Sequence, residues 1–424
     1  MNTVASPPEV IGKGLAEGFL TPSEIRSLVA GGLGQLDLRG RRVLAIIPDG
    51  TRTMPMPLLF NILEQELLPR VSQLDFLIAT GTHPGMDDAE LSRHTGREVV
   101  GGRAGAIRIF NHDGSDPAAI ATLGTIPAGE ISAISGGLLS ADVPVRLNRA
   151  VLDCDHILIC GPVFPHEVAG FSGGTKYFFP GIAGREIIDF THWLGALITS
   201  SDTIGVMDTP VRRVIDRAVA MIPVPHSLIG LVTQHEGVAG LYCGPTLDAW
   251  RRAAELSSTR HIVRIPAPAK RMLAVMPEMY TDLWTGAKGM YKSEPAVADG
   301  GEVVIYAPHI REVSHVHGAL IREIGYHCRD YFLRQWDLFD MYPGGILAHS
   351  THVKGKGTYD PATDKETPRI RVTLATGIPE EVCHEINLGY LDPASVDVND
   401  WHAHEKDGWL VVPRAGEMLY RVAS

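Results

Sequence analysis

The apolar positions of this chain fall in short runs separated by helix-like segments. VLAIIPD (43–49), LDFLIATG (74–81), HILICGPV (156–163) and LIGLVT (228–233) are nearly continuous apolar runs. Continuity rather than alternation marks strands buried on both faces of a parallel sheet. Between the first two runs, PLLFNILEQELLPRVSQ (57–73) repeats its apolar residues with a helical period. Strand–helix–strand order predicts an open α/β sheet. Ligands of such sheets bind beyond the carboxyl ends of the strands, and Asp49, Arg52 and His83 stand at those ends.

Around 265–275 the chain reads RIPAPAKRMLAVM, a Pro/Ala-rich linker, and a second alternation follows. LAVMPE (273–278), GEVVIYAPH (301–309) and RIRVTLATGI (369–378) are its candidate strands. The expectation is two α/β domains with the active site in the cleft between them. Residues 1–270 are read as a cofactor-binding domain and 271–395 as a C-terminal α/β domain. Residues 396–424 are read as a tail that packs back on the first domain.

Composition narrows the function classes. The 424 residues are 45% hydrophobic and 21% charged, an ordinary globular balance. A net charge of −11 argues against a nucleic-acid partner, which needs a basic face. It leaves room for an anionic substrate, because a local cluster of Arg or Lys governs the field inside a cleft. No apolar stretch reaches membrane-spanning length, and no secretory signal pattern opens the chain. The five cysteines are scattered without CxxC spacing. That pattern fits reduced thiols in a cytoplasm better than a disulfide frame.

The richest stretch is FPHEVAGFSGGTKYFFPGIAGREIIDFTH (164–192), with His166, Glu167, Gly173, Gly174, Lys176 and His192. Glycines ahead of a helix can bring backbone N–H groups to a phosphate. A P-loop is excluded by the order Gly174-Thr175-Lys176-Tyr177, since that motif needs Ser or Thr after the Lys. A plain turn explains the glycines alone; the Lys and two His residues point to a site. In AIIPDGTRTMP (45–55), a strand runs into Asp49, Thr51 and Arg52. Arg52 can clamp a carboxylate with two hydrogen bonds, although Asp-Gly is also a turn signal. ATGTHPGM (79–86) places His83 at a strand end.

Two further clusters lie downstream. YTDLWTGAKGMYKSEPAV (280–297) offers Trp284, Thr285 and Lys288, followed by His309 and Arg311. Lys292 shares a helical face with Lys288 and reads equally well as a solvated position. GGILAHSTHVKGKGTY (344–359) holds His349, His352, Lys354 and Lys356 among glycines and reads as a polar binding loop.

Together these motifs resemble the lactate racemase family, most specifically in His166, Gly173-Gly174, Lys176, Pro180-Gly181 and His192. The resemblance implies a nickel-pincer nucleotide, a pyridinium-3-thioamide-5-thiocarboxylate mononucleotide, linked covalently to Lys176 with nickel bound by His192. Asp49, Thr51, Gly173 and Gly174 would line the cofactor. The resemblance assigns acid–base catalysis to His83 and His166 and substrate binding to Arg52 and Lys288, with Trp284-Thr285 standing where lactate racemase has Tyr-Gln. The implied reaction inverts C2 of a 2-hydroxy acid by hydride transfer through a 2-keto acid. The cofactor would come from dedicated biosynthetic enzymes. The polar segment 344–359 and Thr285 favour a sugar-acid substrate, an aldonate, over lactate or malate. Two other readings stand beside it: a zinc hydrolase or lyase using His83, His166 and His192, and a nonenzymatic nucleotide- or sugar-acid-binding module. Oligomeric state is not legible.

Overall fold

A computed structural model describes residues 9–81, 83–235 and 237–423. The chain forms two compact units. The first holds the chain up to Phe164, then Phe171–Ile188 and Met207–Arg260. The second holds Pro165–Gly170, Asp189–Val206 and everything from His261 on.

The first unit is built on an eight-stranded sheet. Its strands are β1 (Ile11–Gly14), β2 (Arg42–Pro48), β3 (Gln73–Ala79), β4 (Arg103–Ala104), β5 (Ile107–Asn111), β6 (His156–Pro162), β7 (His226–Gln234) and β8 (Gly237–Pro245). Their spatial order is β1-β8-β7-β6-β2-β3-β5-β4. The five central strands, β7 to β5, run parallel, and β1, β8 and β4 close the edges antiparallel. Val43, Ala45 and Ile47 share a core with Leu59, Phe60 and Leu63 of the helix Met56–Leu67. Leu44 and Ile46, which alternate with them along β2, are buried as well. Both faces of β2 are therefore covered, which explains its unbroken apolar run.

The second unit carries a five-stranded sheet, all parallel. Its strands are β9 (Ala269–Val275), β10 (Val297–Ala307), β11 (Arg371–Thr376), β12 (Gly389–Tyr390) and β13 (Trp409–Val412), in the order β12-β11-β10-β9-β13. The two α/β sheets agree with the expected fold class.

The boundaries need correction in two places. The expected tail 396–424 supplies β13, which pairs with β9 inside the second unit. Leu419–Val422 likewise pairs with Ile262–Ile265 there. The change of unit falls at 260/261 rather than at 270, and two earlier segments join the second unit. The reason lies in packing. Trp193 stacks on Trp336 at 5.4 Å and meets Phe332 edge-on at 6.5 Å, and the Gly205 amide donates to Gly170 O at 2.8 Å. His166 and His192 thus belong to the second unit, not to the first domain. Among the described residues, no helix is long and apolar enough to cross a membrane. All five cysteines are buried and unpaired.

Candidate functional site

In the first unit the site grows from the ends of β2 and β3. Asp49 follows β2 directly and is 5% exposed. Its Oδ1 accepts from the Thr51 amide (3.0 Å) and from the Thr51 hydroxyl (2.5 Å). Its Oδ2 lies 2.6 Å from Nδ1 of His83. Burial pushes the Asp49 carboxyl up, yet the His83 hydrogen bond, with Arg52 and Thr51 helping, brings it down to about 2. A carboxylate at this distance accepts a hydrogen bond from Nδ1–H, so the neutral His83 ring presents its lone pair at Nε2. Arg52 donates to the Thr51 hydroxyl at 2.8 Å, and its guanidinium lies 6.0 Å from the Phe164 ring. Thr82, beside His83, lies outside the described residues.

The Gly173-Gly174-Thr175-Lys176 turn lies in the same unit. Gly173 and Gly174 have φ of 74° and 59°, a region other residues rarely enter. A Cβ at Gly174 would come within 2.8 Å of the Trp250 ring, and one at Gly173 within 2.6 Å of Val163. The turn is anchored from outside the motif. The Trp250 indole N–H donates to Ser172 O at 2.9 Å. Buried Arg212 donates to Phe171 O, Gly173 O and the Thr175 hydroxyl, and its guanidinium covers Trp250 at 4.3 Å. Thr175 donates onward to Asp216 at 2.7 Å. Lys176 is only partly buried while its neighbours from Phe171 to Thr175 and Tyr177 to Phe179 are buried. The Gly81 amide donates to Gly181 O at 3.0 Å, tying the loop before His83 to the loop after Lys176. Arg212, Trp250 and Asp216 escaped the sequence reading because they lie in ordinary amphipathic helices, with Arg212 already 37 positions from Thr175.

The second unit gathers the remaining residues. His166 Nδ1 accepts the Val168 amide at 3.1 Å and lies 3.4 Å from Glu167. An accepting Nδ1 puts the neutral ring's proton on Nε2. His192 is half-buried in the helix Arg185–Ile198, and Asp189, one turn before it, accepts the Gly345 amide at 3.0 Å. Lys288 holds its ammonium 4.8 Å over the Tyr280 ring. Asp282 caps a helical turn by accepting the Thr285 amide at 3.0 Å and also accepts the Thr285 hydroxyl at 2.7 Å, which leaves that hydroxyl oxygen an acceptor only. Lys292 is not a solvated position: it is buried, with Nζ donating to Glu417 O at 3.0 Å.

The segment 344–359 is also not a loop. Gly344–Lys354 is a helix, and every residue from Ile346 to Lys354 is buried. His349 stacks on Trp284 with centroids 3.8 Å apart and planes at 10°. Its Nε2 donates to Trp284 O at 3.0 Å. Burial pushes His349 and His352 down to about 3, and His352 lies close enough to His192 to sense its charge.

Comparison with known proteins gives this arrangement a relative. Residues 30–205 match the lactate racemase N-terminal domain. Over these residues the chain is similar to the lactate racemase family. It is 24% identical over 273 residues to lactate racemase of Thermoanaerobacterium thermosaccharolyticum and 23% identical over 277 residues to that of Lactiplantibacillus plantarum. Each alignment covers 63% of this chain, and they span 60% and 61% of those two proteins. A crystal structure of a Thermotoga maritima protein is similar at a TM-score of 0.86 and 34% identity, covering 96% of this chain and all of that one. The apoprotein structure of the Thermoanaerobacterium enzyme shares the fold at a TM-score of 0.68 and 18% identity, covering 96% of this chain and 90% of that one.

The family's cofactor can be tested against this chain's own residues. A covalent tether needs an amine that emerges from a fixed backbone, and Lys176 on its anchored turn is one. A nickel held chiefly by such a group would need one imidazole, and half-buried His192, in the second unit, is of the right chemical kind.

Proposed function

We propose that the chain is a racemase or epimerase that inverts C2 of a 2-hydroxy acid. The observation that carries this reading is the Asp49–His83 pair, at 2.6 Å, in the same unit as the anchored turn bearing Lys176. Lys176 would hold the nickel-pincer nucleotide covalently, with Asp49, Thr51, Gly173 and Gly174 around it and His192 on the nickel. When bound, that group supplies a reversible hydride acceptor, which side chains alone cannot provide.

The protein's own residues handle binding and protons. Arg52 and Lys288 are suited to hold the substrate carboxylate, Arg52 by a two-pronged contact. His83, with its lone pair at Nε2, takes the C2 hydroxyl proton of one antipode as the carbon becomes planar. His166, with its proton on Nε2, faces the oxygen of the other antipode and delivers the proton there. In the reverse direction the two exchange roles. A polar sugar acid is the favoured substrate, and lactate or malate is the alternative.

The zinc reading is less well supported. It needs three ligands together, and among the described residues no group of three or more His, Cys, Asp or Glu could hold a metal ion. The test is direct. Cofactor-loaded protein is incubated with a panel of 2-hydroxy acids, and C2 inversion is scored by NMR. Inversion of at least one is expected; a loaded protein that inverts none is not a racemase, and binding without turnover would make it a binding module.

A further inference from the structure

Buried polar atoms are almost always hydrogen-bonded, and leaving one unpaired is costly. The second unit concentrates exceptions. The Tyr326 hydroxyl, Nδ1 of His349 and both ring nitrogens of His352 are buried without a partner. These side chains adjoin one another. His349 and His352 stand one turn apart on the helix Gly344–Lys354, and the Tyr326 and His349 rings are 5.7 Å apart. Tyr326 is fully buried, and His352 is 4% exposed. His349 also stacks on Trp284.

The chemistry of these atoms selects what can satisfy them. His349 gives its Nε2 proton to Trp284 O, so its Nδ1 can only accept. Its missing partner must donate a hydrogen, which a carboxylate cannot do. Neutral His352 needs one donor and one acceptor, and the Tyr326 hydroxyl can serve either way. An aliphatic hydroxyl both donates and accepts, so it fits all three. The two lysines of this segment are already engaged. Lys354 donates to Asn387 O at 2.6 Å and Lys356 to Asp202 at 2.7 Å, while Asp282 and Glu167 lie near His349.

We propose that Tyr326, His349 and His352 form a hydroxyl-reading subsite that binds the polyhydroxylated tail of the substrate, so that the chain acts on aldonates rather than on short or dicarboxylic 2-hydroxy acids. The inference rests on the racemase reading above for its reaction, but binding tests it separately. Cofactor-loaded protein is titrated calorimetrically with gluconate, lactate and malate. The wild type should bind gluconate at least tenfold more tightly than the other two. Tyr326→Phe removes one oxygen and keeps the ring; His349→Phe keeps the stack on Trp284. Each should weaken gluconate roughly 3–10-fold, the range for one net hydrogen bond, and weaken lactate less, so that the preference shrinks. A wild type without gluconate preference, or a preference unchanged in both variants at unaltered melting temperature, overturns the subsite. C2 inversion is scored on the same samples: inversion of lactate without gluconate preference spares the racemase reading, whereas tight gluconate binding with no inversion of any acid spares only the subsite.

Discussion

The Asp49 carboxylate sits where a change of one atom alters the chemistry of His83. With its carboxyl at about 2, Asp49 stays ionised through the neutral range and holds the His83 proton on Nδ1. Asp49→Asn places an amide that can donate to Nδ1 instead, leaving the proton on Nε2 and the ring unable to act as base. Turnover should fall on the order of 10²-fold, the lower range for a positioned acid–base group, with nickel content and melting temperature retained. Unchanged turnover in a loaded, folded Asp49→Asn protein would remove His83 from the mechanism. Lys176 carries a separate prediction. Protein made together with the cofactor enzymes should show added mass on its Lys176 peptide, and Lys176→Arg should show none, because a guanidinium cannot form the same link. Full activity in protein lacking that mass contradicts the tether. The sequence singles out His83, His166 and Lys176 as candidates because each stands in a glycine-containing motif. The Asp49–His83 contact was not, since 34 residues of chain separate the partners.

The glycine turn shows how an element depends on neighbours that its motif does not name. Gly174→Ala would force a side chain into a left-handed backbone and against Trp250. It should cost about 1–3 kcal/mol in denaturant unfolding and lower cofactor loading by displacing Lys176. Loading equal to wild type would show that the turn geometry is dispensable. Arg212→Met should also destabilise, by at least about 2 kcal/mol, because the carbonyls of Phe171 and Gly173 lose a buried donor; a stable variant would demote Arg212 to filler. The helix Gly344–Lys354 makes the opposite point. Its His, Ser, Thr and Lys residues read as a loop, since polarity usually marks solvent. Here the polar side chains face one another and backbone carbonyls inside the unit, which no periodicity reports.

Across the molecule, buried histidines set a pH limit on stability. Burial lowers His94, His112, His156, His226, His349 and His352, His156 to about 4. In the unfolded chain each titrates near 6.5. Between about 4 and 6.5 the unfolded state therefore binds more protons, and stability rises with pH. Their contribution is complete above about 6.5 and is lost as pH falls toward the folded values. The melting temperature should hold between pH 7.5 and about 6.5 and drop from there to pH 5, and His156→Phe should flatten part of that drop; a constant melting temperature down to pH 5 refutes the account. The sequence by itself determined the α/β class, the strands that carry the site and the glycine, Lys and His residues of the motifs. Those features are local: apolar runs report burial on two faces, and turns need glycine within a few residues. Only the tertiary structure decided which unit owns His166 and His192, that Trp409–Val412 joins the second sheet, that Arg212 holds the Lys176 turn and that His349 and His352 are buried. Each of these depends on contacts between residues far apart in the chain, and burial of a polar group is set by what surrounds it, which the order of residues along one segment does not record.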